Sequence, residues 1–120
     1  MNLSALRKTL TDLFDDSSVN VYWYVPAALI APAVIVIPSE PYVEVLSIGK
    51  NKYKANFDLT FAVGMQDNQA ALDNIENLIF SAIAALPVGW TYSAASQPIP
   101  QSLGQVDVLV SKISVSIIQS

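Results

Sequence analysis

The chain of 120 residues has no cysteine and no histidine, four glycines, and only 13% charged residues. Without cysteine there is no disulfide framework and no thiolate metal site. Without histidine the usual general base, the commonest metal ligand and the side chain that titrates near neutral pH are all missing. The scattered glycines form neither G-x-G-x-x-G nor a P-loop, so the phosphate-cradling motifs of nucleotide enzymes are absent. Chemistry is left to carboxylates, lysines and hydroxyls. Asp15-Asp16, and Asp73 with Glu76 three residues apart, are the close acidic sets, and both read as solvated helix ends or faces. No catalytic set, cofactor or metal site is expected, and the expectation is a protein that is not an enzyme.

Charge is scarce, since a soluble domain carries about 25% charged residues, while the apolar fraction here is 52%. Either a compact core sits beneath a Ser/Asn/Gln-rich exterior, or something other than water covers part of the surface. The net charge of −4 opposes a grip on nucleic acid, which needs a basic face. No long hydrophobic run is present either. The most apolar stretch, "YVPAALIAPAVIVIPSEPYVEV" (24–45), is broken by Pro26, Pro32, Pro38 and Pro41, whereas a spanning helix needs roughly 20 continuous apolar residues. The N-terminal segment, with polar residues every few positions, lacks the apolar block and cleavage site of a signal peptide, so synthesis in the cytoplasm is expected.

What is present reads as alternating helix and strand. Leu3, Leu6, Leu10, Leu13 and Phe14 recur at helical spacing, ended by "DDSS". Residues 19–25 alternate as a strand with an aromatic face, stopped by Pro26, its aromatics expected in the core or in cross-strand pairs. "AVIVI" (33–37), β-branched and flanked by prolines, predicts a strand buried on both faces. "PSEP" predicts a rigid corner, after which "YVEVLSI" resumes as another strand before a Gly49-Lys50-Asn51 turn. Next, Tyr53, Ala55, Phe57, Leu59, Phe61 and Val63 share one face, while Lys52, Lys54, Asn56, Asp58 and Thr60 share a second face that is wet or at an interface.

Asp67 is placed to cap a second helix with a stripe of Leu72, Ile75, Leu78, Ile79, Ala82, Ile83 and Leu86, ended by Pro87. "VGWTYS" is a short strand and "AASQPIPQSLG" a loop. In the last strand Val106, Val108 and Val110 lie on one face but Ile113, Val115 and Ile117 on the other. That requires a β-bulge near Ser111 or a first half covered on both sides. The sum is a single α+β domain over 1–120, with a mostly antiparallel or mixed sheet covered by two helices. Lys50, Lys52 and Lys54 form its one basic cluster, suited to edge protection or, with Asn51 at the hairpin tip, to an acidic partner surface.

In order and spacing, "LSALRKTL", the proline-punctuated block 24–45, "YKANFDLTFAVGMQDNQAALDNIENLIFSAIAAL" and "VDVLVSKISVSI" resemble the small tail terminator proteins of long-tailed bacteriophages, particularly those infecting actinobacteria. The resemblance covers most of the chain and carries no catalytic motif; the prolines and Tyr42 transfer as shape only. It implies a structural virion protein at the head-proximal end of the tail, forming a hexameric ring that caps the tail tube and ends its polymerisation. The partners it implies are the major tail tube protein and the head–tail connector proteins, with DNA passing through the channel without specific binding, and no membrane. Another head–tail completion or minor tail protein, or a small ligand-binding regulatory module, remains an alternative.

Overall fold

The computed structural model describes residues 2–14, 19–47, 52–65, 68–103 and 105–119. Two helices and six strands follow in the order α1 (Leu3–Asp12), β1 (Asn20–Tyr22), β2 (Ala33–Ser47), β3 (Lys52–Gly64), α2 (Asn68–Ala85), β4 (Trp90–Ala95), β5 (Ile99–Leu103) and β6 (Val106–Gln119). The fold is α+β, an open mixed sheet in the order β1-β2-β3-β6-β4, with β5 also paired to β6. Among the described residues only β1 and β2 pair in parallel, and the other ladders are antiparallel.

Three long strands of 15, 13 and 14 residues set the shape. At about 3.3 Å per residue they reach 43–50 Å, which accounts for the long axis of a body measuring 53 × 28 × 26 Å. The radius of gyration, 14.9 Å, exceeds the about 13.6 Å expected of a compact chain this long. The domain is therefore drawn out along its strands.

The register divides the sheet into two ends. One end runs through Asn20, Ala33, Ala62, Val110 and Ile99, one residue from each of β1, β2, β3, β6 and β5. The other runs through Val43, Ala55, Ile117 and Trp90, from β2, β3, β6 and β4. β1 reaches only as far as Ile35 along β2. Beyond it, β2 is itself the edge of the sheet.

The larger core lies between the sheet and the two helices. α1, capped by the Asn2 side chain accepting from the Ala5 amide at 3.1 Å, contributes Leu6 and Leu10, and Phe14 follows it inward. α2 contributes Ala71, Ile75, Ile79 and Ala82 against Val34, Val36, Phe57, Leu59, Phe61, Ile113 and Val115. The expected stripe holds except at its start: Ile75, Ile79 and Ala82 are buried and Leu78, Ile83 and Leu86 pack against the core, but Leu72 is exposed and Ala71 buried instead, because a small residue lets the helix approach the sheet closely. Phe80 is exposed as well. α2 stops before Pro87, its last turn tightened by Leu86 N–H donating to the Ile83 carbonyl. Gly89, at φ +100°, then turns the chain into β4 in a conformation that a side chain would strain. Asp67 lies outside the described residues.

The reverse face has its own apolar cluster at the five-stranded end: Leu29, Ala33, Ile35, Ala62, Val108 and Val110. This explains the last strand. From Tyr53↔Gln119 to Gly64↔Val108 the β3–β6 register runs without a break, so there is no bulge near Ser111. Val106, Val108 and Val110 face the reverse cluster, while Ile113, Val115 and Ile117 face the helices. "AVIVI" is likewise buried on both sides, Val34 and Val36 toward the helices and Ala33 and Ile35 away from them.

Three expected boundaries are corrected. The strand expected over 19–25 is β1 alone, ending at Tyr22. Parallel neighbours cannot be joined by a tight hairpin, so residues 23–32 leave the sheet and cross the reverse face, anchored by the buried Leu29 and by Asn20 Nδ2 donating to the Ile30 carbonyl at 3.0 Å. This leaves Trp23 and Tyr24 more than half exposed, in edge-to-face contact 5.6 Å apart, rather than in the core. "PSEP" does not divide two strands: β2 continues through it, bulging between Pro38↔Phe57 and Val43↔Ala55. The loop expected over 94–104 contains β5, in which Pro100 is tolerated because β5 is an edge strand.

Candidate partner-binding surface

Past the bulge, β2 and β3 form a hairpin arm beside the last residues of β6. Lys52 is opposite Ser47, and Lys54 lies between Glu44 and Ile118, so the two lysines share the reverse face as the alternation predicts. Lys52 is exposed. Lys54 approaches Glu44 at 3.9 Å, both side chains more than a third exposed, a pair that fixes little. Lys50 and Asn51 lie outside the described residues. Of the four residues assigned to a partner surface, the structure thus brings Lys52 and Lys54 together on one face of the arm.

The neighbours of these lysines were not legible as a group. Asn56 and Asp58, expected on a face that is wet or at an interface, are 8% and 9% exposed. Asn56 Nδ2 donates to Glu44 Oε2 at 2.8 Å and to the Pro41 carbonyl at 3.0 Å, while its Oδ1 accepts from the Ser116 hydroxyl. Ser114 Oγ donates to Asp58 Oδ1 at 2.8 Å, and Lys112 Nζ stands 3.7 Å from Asp58 Oδ2. Polar side chains of β2, β3 and β6 therefore bond laterally across the strands, so the buried Asn56 and Asp58 both have partners. The signal in the sequence was "SKISVS", whose alternate serines needed only a register to meet Asn56 and Asp58.

Apolar side chains interleave with this polar ladder at the open end. Val43 and Val45 stand opposite Ala55 and Tyr53, on the helix side but beyond the helices. Val45 and Ile118 are more than half exposed, as is Tyr92 of β4 to within a percent. Of that strand Trp90 alone is buried, against Phe57, while Tyr92 stands opposite Val115 with half of its surface exposed. The arm thus ends as two short bare strand edges with valines and a tyrosine on one side and lysines on the other.

Two concavities complete the surface. One, about 460 Å³, opens between α1, α2 and the end of β3, lined by Leu13, Phe14, Val63, Asn74, Asn77 and Leu78 among others. The second, about 360 Å³, lies on the reverse face where the apolar cluster meets the polar ladder, with Ile35, Ile37 and Val110 on one side and Asp58, Thr60 and Lys112 on the other. Asp73 and Glu76 are exposed on the outer side of α2, as expected, and Asp15 and Asp16 lie outside the described residues. Among the described residues no helix is long and apolar enough to cross a membrane. Comparison with models of protein families and with curated proteins finds no match to this chain.

Proposed function

We propose that this protein is a structural virion component that caps the tail tube of a long-tailed bacteriophage as a hexameric ring, ending tube polymerisation and forming the surface that joins the head. The observation that carries the reading is the drawn-out sheet, helices on one side, whose arm leaves Val43, Val45, Leu46, Tyr92 and Ile118 in solvent beside Lys52 and Lys54. Exposed apolar residues grouped at this end, beside others such as Trp23, Val25, Ile30 and Phe80 elsewhere on a sparsely charged domain, suit surfaces that meet protein partners. The resemblance of the chain to tail terminators supplies the kind of partner: like subunits, the major tail tube protein below and the connector proteins above.

A wedge with different surfaces on its two flanks joins its copies head to tail, and such a contact closes into a ring when the rotation fits. The acidic balance suits a channel through which DNA slides, since like charge repels it. No catalysis and no cofactor enter this role. The fold proposed is accordingly that of a tail terminator, made in the host cytoplasm and resident at the head-proximal end of the tail.

Light-scattering mass over a concentration series, with and without purified tail tubes, tests the proposal. Association costs each subunit about 4–15 kcal/mol of lost freedom, so monomers at low micromolar concentration, and six-membered rings at high concentration or on tube ends, are expected. A fixed dimer at every concentration contradicts it and favours a regulatory module, for which the groove beside Asp58 and Lys112 is the natural ligand site.

A further inference from the structure

The edges of the sheet differ in how they are closed. At the five-stranded end β1 covers β2 as far as Ile35, and β5, the opposite edge, carries Pro100. Pro38 and Pro41 fall within the bulge of β2. Proline lacks the amide that a further strand would need, so each of these stretches resists pairing. Among the described residues, and apart from the three-residue β1, two stretches have neither cover nor proline, each with one irregularity of register (Val45/Ser47 and Tyr92/Ala95): Tyr42–Ser47 of β2 and Trp90–Ala95 of β4. They are equal in length, and they flank the same four-stranded end through the row Val43, Ala55, Ile117, Trp90.

We propose that these two edges are the two halves of one interface, β4 of one copy pairing with the Tyr42–Ser47 edge of the next so that the sheet continues from subunit to subunit. Strand direction favours it. β2 and β6 run one way, β3 and β4 the other, so copies related by rotation about an axis along the strands bring β4 against β2 antiparallel. Side-chain chemistry agrees. Tyr92 is opposite Val115 and Val43 opposite Ala55, so Tyr92, Val43 and Val45 all lie on the helix side. Joining the edges lays an exposed tyrosine beside exposed valines, an aromatic and β-branched pairing. The occupant is a second copy because each edge supplies what the other lacks, and β4 carries no charge that would repel Glu44. The proposal rests on the ring reading for the number of copies and for nothing else.

The chain has no cysteine, so introduced thiols report the contact without background. Chains with Tyr92→Cys and chains with Val43→Cys or Val45→Cys are mixed and oxidised at a concentration where assembly occurs. The mixture should give a covalent heterodimer and no further product, and the doubly substituted chain a ladder of higher species. Val45→Lys, at an exposed position, should keep the monomer's melting temperature and raise the concentration for half-assembly roughly tenfold or more. A disulfide-linked dimer of Tyr92→Cys alone would mean that β4 pairs with itself and would overturn the proposal. A hexameric mass with no cross-link at either valine overturns it and leaves the ring standing. A ladder with an open-ended mass supports the edges and removes the six-membered ring, while monomers at every concentration overturn both.

Discussion

On the helix side of β3, Phe57, Leu59 and Phe61 lie fully buried beneath α1 and α2; on the reverse side the same strand presents Asn56, Asp58 and Thr60 to neighbours from β2 and β6. Both sides are ordered, by different means. The helix side is held by removal of apolar area from water, which is non-directional. The reverse side is held by hydrogen bonds between particular atoms, which depend on direction. Two adjacent residues, Asn56 and Phe57, therefore fail differently when changed. The polar side also resists non-specific sticking where the strand edges stand open, because a misplaced partner would strand buried polar groups.

The largest effect is expected from Phe57→Asp. It places an unpaired charge among Tyr42, Trp90 and the apolar side of the sheet, costing several kcal/mol in a domain whose stability is of order 5–15 kcal/mol. Cooperative thermal unfolding should disappear. A melting curve like that of the parent would refute the assignment of the core.

Next comes Leu29→Ala, which tests whether residues 23–32 cover the reverse cluster in earnest. Leu29 is 4% exposed, and truncation of a buried leucine costs about 2–5 kcal/mol. Ile75→Ala under α2 is the matching change on the helix side. Urea denaturation should place the two within a factor of about two of each other. A negligible loss for Leu29→Ala would mean that the reverse cluster contributes no stability, and the two sides would not be comparable.

Smaller, yet beyond a surface substitution, is Asn56→Asp. Read as a solvent-facing residue, Asn56 would accept the change with little cost. In the structure its amide donates to both Glu44 and the Pro41 carbonyl, so aspartate loses two hydrogen bonds and sets a second carboxylate against Glu44. About 2 kcal/mol is expected at neutral pH. A loss within the range of exposed sites at pH 7 would show that the ladder is not formed.

The difference between the sides also explains what could be read from residues alone. Alternation in Tyr53–Val63 and the three-four spacing in α1 are local patterns, and they located the larger core. The opposite facing of Val108 and Val110 against Ile113 and Val115 left a choice that only register decides, since β6 has no bulge against β3 near Ser111 and the reverse cluster absorbs the first pair. β5 was hidden because "QPIPQSL" has the proline of a loop and the pairing of an edge strand. The burial of Asn56 and Asp58 could not be foreseen either: their partners Ser116 and Ser114 are sixty and fifty-six residues away in the chain. For the proposed partner surface, the shared face of Lys52 and Lys54 followed from alternation. The exposure of Tyr92 and the bare edges beside it depend on where β1 and β5 stop, which is a property of the whole sheet.

The smallest stability effect belongs to the arm lysines, and there the comparison turns from stability to assembly. Changing Lys50, Lys52 and Lys54 to glutamate removes the one basic cluster of an acidic chain. Lys54 makes a long ion pair in solvent, worth about 0–1 kcal/mol, so the melting temperature should move by only a few degrees at most. If the cluster merely keeps the hairpin soluble, added glutamates serve that purpose as well, and tail assembly in a complementation test proceeds normally. If the arm meets an acidic surface of a tube or connector subunit, three reversed charges turn attraction into repulsion across a distance comparable to the Debye length of about 8 Å at physiological salt. The expected outcome is a folded protein whose tails overrun their length or fail to join heads, with partial recovery when salt is raised in an in vitro tube-capping assay. Normal infectious yield from the triple variant would assign the lysines to edge protection and shift the search for the docking surface to the helix side, where Val43, Val45 and Tyr92 stand exposed.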